Sequence, residues 1–399
     1  MAQRRNILSH AVEVLRQSGL VGEERAVKLV YLAVTSRLLN RIVSVAVKGP
    51  SSGGKSFLVE KVLTLFPSDA IHVFTAMSEH ALAYGEESLV HKIIVVYETV
   101  GLAGDFGTYL IRSLLSEGRI CYQTVEKTKD GIRPRRIERE GPTGLIVTTT
   151  KARLHPENET RMLSITVSDT ADQTRAILRA QAQGQARIRS VDLAPWHALQ
   201  QFIALSHSGV TIPYARVLAE MIPAVAVRLR RDFPCILALI EAHALLHRAN
   251  REASGDAVIA TLEDYAAVRE LVADLVSEGI EASVSDATRD TIAAVATLAS
   301  EAANGVSVTA VAGKLKLDKS AASRRVQEAI TRGFIRNEED RKGHPARLTI
   351  GDPLPEETEV LPSPCRLKAE VLHSCAVADG GSIAPSPTVT DEEVAAWTL

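Results

Sequence analysis

Aromatic residues are scarce in this chain: Phe, Trp and Tyr make up 4% of its 399 residues. That shortage argues against a base-stacking platform as the main grip on a single-stranded nucleic acid. Cysteine is rarer still. Cys121, Cys235, Cys365 and Cys375 stand without C-x-x-C spacing and without an accompanying histidine pair. Neither zinc nor a disulfide framework is expected from them. No uninterrupted apolar run approaches the length of a bilayer span, and the N-terminus lacks an apolar core of signal-peptide length. A cytoplasmic protein with no membrane partner is the expectation. Excess charge is also missing: 46 Lys and Arg face 48 Asp and Glu, for a net charge of −2. Any contact with nucleic acid must therefore come from local patches rather than bulk charge. What remains is 46% hydrophobic and 24% charged, enough for packed cores and two or three domains.

The most specific stretch present is Gly49-Pro50-Ser51-Ser52-Gly53-Gly54-Lys55-Ser56. It fits the phosphate-loop pattern G-x-x-x-x-G-K-[ST] at every fixed position. The apolar run Ile42 to Val47 reads as a buried strand leading in, and Phe57 to Leu65 as a helix leading out. Glycines let backbone N–H groups wrap a phosphate, and the helix N-terminus adds positive potential. Lys55 would reach the β- and γ-phosphates of ATP, and the Ser56 hydroxyl would hold Mg²⁺. A glycine-rich turn that binds nothing is the bland alternative, and the flanking strand and helix count against it.

Residues 1–40 read as two N-terminal helices, with one apolar stripe at Ile7, Ala11, Val14 and Leu15. The core spans 41–169. It adds strands at Ile71–Phe74, Ile93–Val96, Gly144–Thr148 and Leu163–Val167, alternating with helices. That alternation predicts an α/β fold with a mostly parallel sheet. Residues 170–250 are rich in Ala, Leu and Arg and read as helices throughout, and a further helical stretch covers Thr261 to Glu278, so 170–285 reads as a helical lid and connecting helices. Residues 286–351 read as three helices and two short strands. Residues 352–399, punctuated by prolines such as Pro353, Pro362 and Pro364, read as a disordered tail.

Lys92 to Glu98 is an apolar strand ending in an acid. Glu98 could orient or deprotonate an attacking water and contribute to the metal site. The position before it is Tyr97, where a second acid is usual. The strand Gly144 to Thr150 has a hydroxyl-rich end, and Thr148, Thr149 or Thr150 could face the γ-phosphate. Which of them does so depends on the strand's period of two, which the sequence does not register; Thr149, the middle of the three, stands as the candidate. Arg161 precedes the next strand, where it could neutralise phosphate charge or form an ordinary surface ion pair.

Together these pieces resemble AAA+ ATPases, and more narrowly the ATPase module of minichromosome-maintenance-type replicative helicases found in phages and mobile elements. The resemblance covers roughly residues 40–250, and the phosphate loop is its one highly specific motif. It implies that Arg161 is a trans-acting arginine finger and that Arg231 is the lid arginine called sensor 2. A homo-oligomeric ring follows, suspected to be a hexamer, because such a finger acts only across a subunit boundary. A primase or other replication protein could work alongside.

Ile120 to Glu138 contains Asp130-Gly131 between two strand-like runs, a hairpin signal. Lys127 and Lys129 flank the turn on one side, Arg133, Arg135 and Arg136 on the other. The hairpin resembles the pre-sensor hairpin of that helicase family, which implies DNA contact by Lys127, Lys129 and Arg133. An exposed hairpin whose charges merely protect its edge is the alternative. Thr288 to Leu348 resembles a winged helix-turn-helix. Ser320 to Thr331 would be its recognition helix, with Lys319, Ser323 and Arg324 on the polar face, and Arg341 and Lys342 would lie in the wing. Two functions compete: an ATP-driven ring helicase on DNA, and a non-motor, ATP-dependent DNA-binding switch such as an initiator, helicase loader or regulator. A small-molecule kinase is disfavoured, because no acceptor-binding pocket is evident.

Overall fold

The computed structural model describes residues 1–74, 84–85, 87–97, 105–128, 131–150, 159–184, 190–205, 209–224, 226–281, 284–301, 305–339, 341, 344–354 and 359–378. These divide into two compact units, 1–215 with 233–272, and 216–232 with 273–399.

The first unit opens with helices α1 (Ile7–Gln17) and α2 (Glu24–Thr35), followed by strand β1 (Val45–Lys48) and helix α3 (Lys55–Leu63). Strands β2 (Ile71–Phe74) and β3 (Lys92–Val96) come next, then helix α4 (Asp105–Glu117) and a hairpin of β4 (Ile120–Thr128) and β5 (Gly131–Arg139). Strands β6 (Thr143–Thr149) and β7 (Leu163–Thr166) complete the sheet. Its order is β2-β3-β6-β1-β7, with every pair parallel. Parallel strands are covered on both faces and so read as continuous apolar runs. All seven residues of β6 are buried, as are all four of β1.

Alternation along the strands divides the core. Ala46, Ile94, Val96, Leu145 and Val147 cluster with Leu110, Ile111 and Leu114 of α4. The root of the hairpin, Ile120 and Ile137, belongs to the same cluster. Fully burying side chains of this size contributes on the order of 1.5–3 kcal/mol each. The hairpin is thus anchored on the face of the sheet that α4 covers, and its outer half carries exposed Val125, Arg133 and Arg135.

Helices α5 (Ala171–Ala182) and α6 (Ala194–Leu205) follow. Within the stretch 170–285, read from sequence as a helical lid and connecting helices, α6 shares a core with the N-terminal helices. Trp196 is buried and meets Tyr31 edge-on, with ring centroids 5.7 Å apart. Gln200, also buried, accepts from Arg37 at 2.8 Å and donates to the Tyr31 hydroxyl at 3.0 Å. A buried amide needs such partners, and here they bind α6 to α2. The stretch is not helical throughout. Strand β8 (Val210–Thr211) precedes helices α7 (Ala215–Met221) and α8 (Leu229–Leu246). Strands β9 (Ala253–Ser254) and β10 (Ala257–Ile259) then complete a small sheet of order β8-β10-β9, ahead of α9 (Leu262–Glu281).

The second unit contains α10 (Asp286–Glu301), α11 (Val308–Leu315), α12 (Lys319–Thr331), β11 (Ile335–Asn337) and β12 (Leu348–Ile350). The two strands pair antiparallel, and Val306 bridges Leu348 on the other side. Val295, Val311, Val326, Phe334 and Leu348 pack into one cluster. Ser307 caps α11 by accepting from Ala310 N, and Asp318 caps α12 by accepting from Ser320 N and Ala321 N. Such caps explain why both helices begin where they do.

The expected disordered tail does not hold over 359–378. Helix α13 (Pro364–Ala378) forms there, and Val360, Leu361 and Leu367 are buried. Pro364 is the first helical residue, where a missing N–H costs nothing, and Ser363 Oγ accepts from Arg366 N at 3.4 Å. Residues 379–399 lie outside those described.

Candidate nucleotide and nucleic-acid sites

The C-terminal edge of a parallel sheet is where ligands bind in α/β folds, and the phosphate loop sits there. β1 ends at Lys48, and Gly49 N donates to Thr149 O at 3.3 Å, fastening the loop to β6. Gly54 takes φ +81° and Ser52 φ +63°. These left-handed positions turn the chain so that backbone N–H groups can face an anion. At Gly49 the limit is space: an added Cβ would come within 2.4 Å of Val167 Cγ2.

Lys55 is 6% exposed. Its Nζ donates to Gly49 O at 3.1 Å and to Pro50 O at 2.6 Å. Among the described residues no carboxylate forms an ion pair with it. A buried ammonium answered only by carbonyl dipoles fits an anionic ligand, because burying a charge without a counter-charge is costly. Ser56 follows at the start of α3, half-buried.

Three strand ends meet at this edge in the order β3, β6, β1. Register pairs Lys48 with Thr149 and Val96 with Val147. The threonine strand therefore lies between the loop strand and the strand leading to Glu98. Thr148 and Thr149 are both buried and, being adjacent, point to opposite faces. Thr149 shares its face with Lys48. Tyr97 is half-buried at the end of β3. Burial, and secondarily the charge of Glu60 on α3, push its phenol up to about 12. It is therefore a neutral hydroxyl and not a substitute anion for a metal. Glu98 lies outside the described residues.

Sequence reasoning missed one contact at the base of the loop. Lys48 Nζ pairs with Glu159 Oε1, joining the loop strand to the segment carrying Arg161. Arg161 Nε donates to Ser116 Oγ of α4 at 2.7 Å. Arg231 is exposed on α8, in the second unit.

In the hairpin, Thr128 pairs with Gly131, so Gly131, expected in the turn, belongs to β5; Asp130 lies outside the described residues. Gly131 opens β5 with φ +114°, a conformation other residues rarely adopt. Register sorts the arginines. Arg133 and Arg135 lie opposite Glu126 and Thr124 on one face, while Arg136 lies on the other, paired with Glu138. Lys129, Lys342 and the side chain of Lys127 lie outside the described residues. In the second unit Lys319, Ser323 and Arg324 are all exposed along α12, and Arg341 is exposed between β11 and β12.

Residues 4–191 match the family described as the MTBMA_p00010 P-loop domain. The loop geometry above and the α/β fold with its parallel central sheet agree with that likeness to a P-loop domain. A similar solved structure is the full-length MCM homolog from Methanopyrus kandleri, at 14% identity and a TM-score of 0.44. The alignment covers 68% of this chain and 58% of that one, so this chain spans under two thirds of that relative's length. No curated protein matches. No helix among the described residues is long and apolar enough to cross a membrane.

Proposed function

We propose that the chain is an ATP-driven DNA-binding motor, a ring-forming helicase in the replication of phage or mobile-element DNA. The observation that carries this reading is where the hairpin is inserted. β4 and β5 lie in sequence between β3 and β6, neighbouring strands on one side of the loop strand β1. A change at the nucleotide is then transmitted through α4 and the hairpin root, which share one core cluster, to an exposed basic ribbon.

In this reading the loop N–H groups and Lys55 hold the phosphates of ATP. Ser56 and Glu98 hold Mg²⁺, which neutralises charge on the phosphate oxygens when bound. Glu98 takes the proton of the attacking water, and Thr149 contributes its hydroxyl at the end of β6. Arg161 leaves Ser116 on ring assembly and serves the neighbouring subunit, and Arg231 completes the lid. Lys127, Lys129 and Arg133 grip DNA phosphates. The second unit acts as a winged helix, with Lys319, Ser323 and Arg324 on its recognition helix and Arg341 and Lys342 in its wing.

Tyr97, neutral where a second acid is usual, favours one other reading: a slow, ATP-timed DNA-binding switch. The deciding experiment is ATP-dependent unwinding of a forked DNA duplex, with Lys55→Ala as control. Unwinding by the native chain, reduced about a hundredfold or more in the variant, supports the motor. ATP-dependent DNA binding without unwinding supports the switch.

A further inference from the structure

Helix α8 carries two histidines that the nucleotide chemistry does not use. His243 and His247 are four residues apart, one helical turn, and so lie on one face. Their rings stack with centroids 4.3 Å apart, and the residues are 7% and 2% exposed. His243 Nδ1 donates to Asp264 Oδ1 at 2.7 Å. His247 Nδ1 donates to the backbone oxygen of His243 at 3.0 Å. A carboxylate and a carbonyl can only accept, so each neutral ring carries its proton on Nδ1 and a bare lone pair on Nε2.

That is the tautomer a metal-bound imidazole adopts, with the far nitrogen donating to a carboxylate or a backbone carbonyl. His247 Nε2 is buried and has no hydrogen-bond partner, an unmet acceptor that calls for a ligand. One nitrogen from each ring and an Asp264 oxygen lie within 4.8 Å of one another. Asp264 itself is already committed. Its oxygens accept from Arg251 Nε at 2.9 Å, from an Arg251 terminal nitrogen at 2.7 Å and from Thr261 N at 2.7 Å. It neutralises Arg251 and orients His243 from outside the coordination shell.

We propose that His243 and His247 form a binding site for a borderline divalent transition-metal ion, zinc(II) or a neighbour in its series, through both Nε2 atoms, with Asp264 as outer partner and water completing the coordination. Imidazole nitrogen suits these ions and not magnesium or calcium. This inference is independent of the ATPase reading.

The test is titration of the metal-stripped full chain with cobalt(II) alone, followed by absorption, and then displacement by zinc(II). His247→Phe keeps a stacked ring and removes the nitrogen. His243→Asn keeps a donor to Asp264 and removes Nε2. Trp196 fluorescence checks that each variant is folded. The expected result is one equivalent bound by the native chain and at least tenfold weaker binding in either folded variant. No uptake by the native chain would mean that the orphan lone pair meets only water, and would overturn the proposal. Equal uptake by the variants, which would place the metal on others of the 11 histidines, would overturn it as well.

Discussion

Replacing His247 by Phe should flatten the acid sensitivity of the first unit. Burial first, then the neighbouring His243, push the His247 imidazole down to about 4 from an ordinary value of 6.5. The folded form thus binds fewer protons than the unfolded chain. The stability this group contributes is fully present above the unfolded value of 6.5 and is lost as pH falls towards 4. Integrating between pH 7 and 5 gives a loss of about 2 kcal/mol in the native chain, at about 1.4 kcal/mol per pKa unit. Phe cannot titrate, so the variant should lose about 2 kcal/mol less over the same interval. Other groups titrate nearby: Glu23 and Glu241 are both held above the usual carboxylate range by burial. They are common to both proteins and cancel in the comparison. The assay is urea unfolding in chelator at pH 7 and pH 5, followed by Trp196 fluorescence in a Trp397→Phe background. Trp196 is 1% exposed and lies in the same unit. An identical pH 7 to 5 loss in both proteins would refute the reasoning, because His247 would then titrate normally in the folded state.

Three further outcomes are expected. Gly49→Ala should weaken nucleotide binding, because its methyl group meets Val167 Cγ2; adding Val167→Ala should restore part of the affinity, and calorimetry with a nucleotide would show no recovery if the clash were irrelevant. Neutralising Arg133 and Arg135 should lower the slope of log affinity for DNA against log salt by about one unit per lost phosphate contact. Neutralising Arg136, on the opposite face with Glu138, should leave the slope unchanged, and equal effects at all three would dismiss the assigned face. Asp264→Ala should destabilise the first unit by about 3 kcal/mol, because it leaves the Arg251 guanidinium, 8% exposed, with only the exposed Glu263 carboxylate at 3.6 Å as counter-charge; a loss under about 1 kcal/mol in urea unfolding would mean that the network is not buried as described.

The phosphate loop was legible because its chemistry fixes residue types at fixed spacing, and Lys55 and Ser56 sit where that spacing puts them. The strands were legible because parallel sheets bury both faces and leave long apolar runs. Register was not. The pairing of Lys48 with Thr149 and the division of Arg133 and Arg135 from Arg136 depend on long-range alignment that no local window contains. Turn chemistry alone puts Gly131 in the turn, since Asp130-Gly131 is a favoured turn pair, whereas Gly131 is the first residue of β5. Helix α13 is not legible because Pro362 and Pro364 look like breakers, although proline suits the first turn of a helix. The His243-Ala244-Leu245-Leu246-His247 spacing was a readable signal. Asp264, which gives it meaning, comes from another helix and could not be paired with it by sequence.

In the proposed motor, nucleotide hydrolysis is coupled to DNA across a ring of subunits. The most direct test is the ATPase rate per subunit, with and without single-stranded DNA, over a range of protein concentration. A ring motor gives strong stimulation by DNA and a rate that rises as subunits assemble and Arg161 reaches its neighbour. Slow turnover indifferent to both DNA and concentration would contradict it.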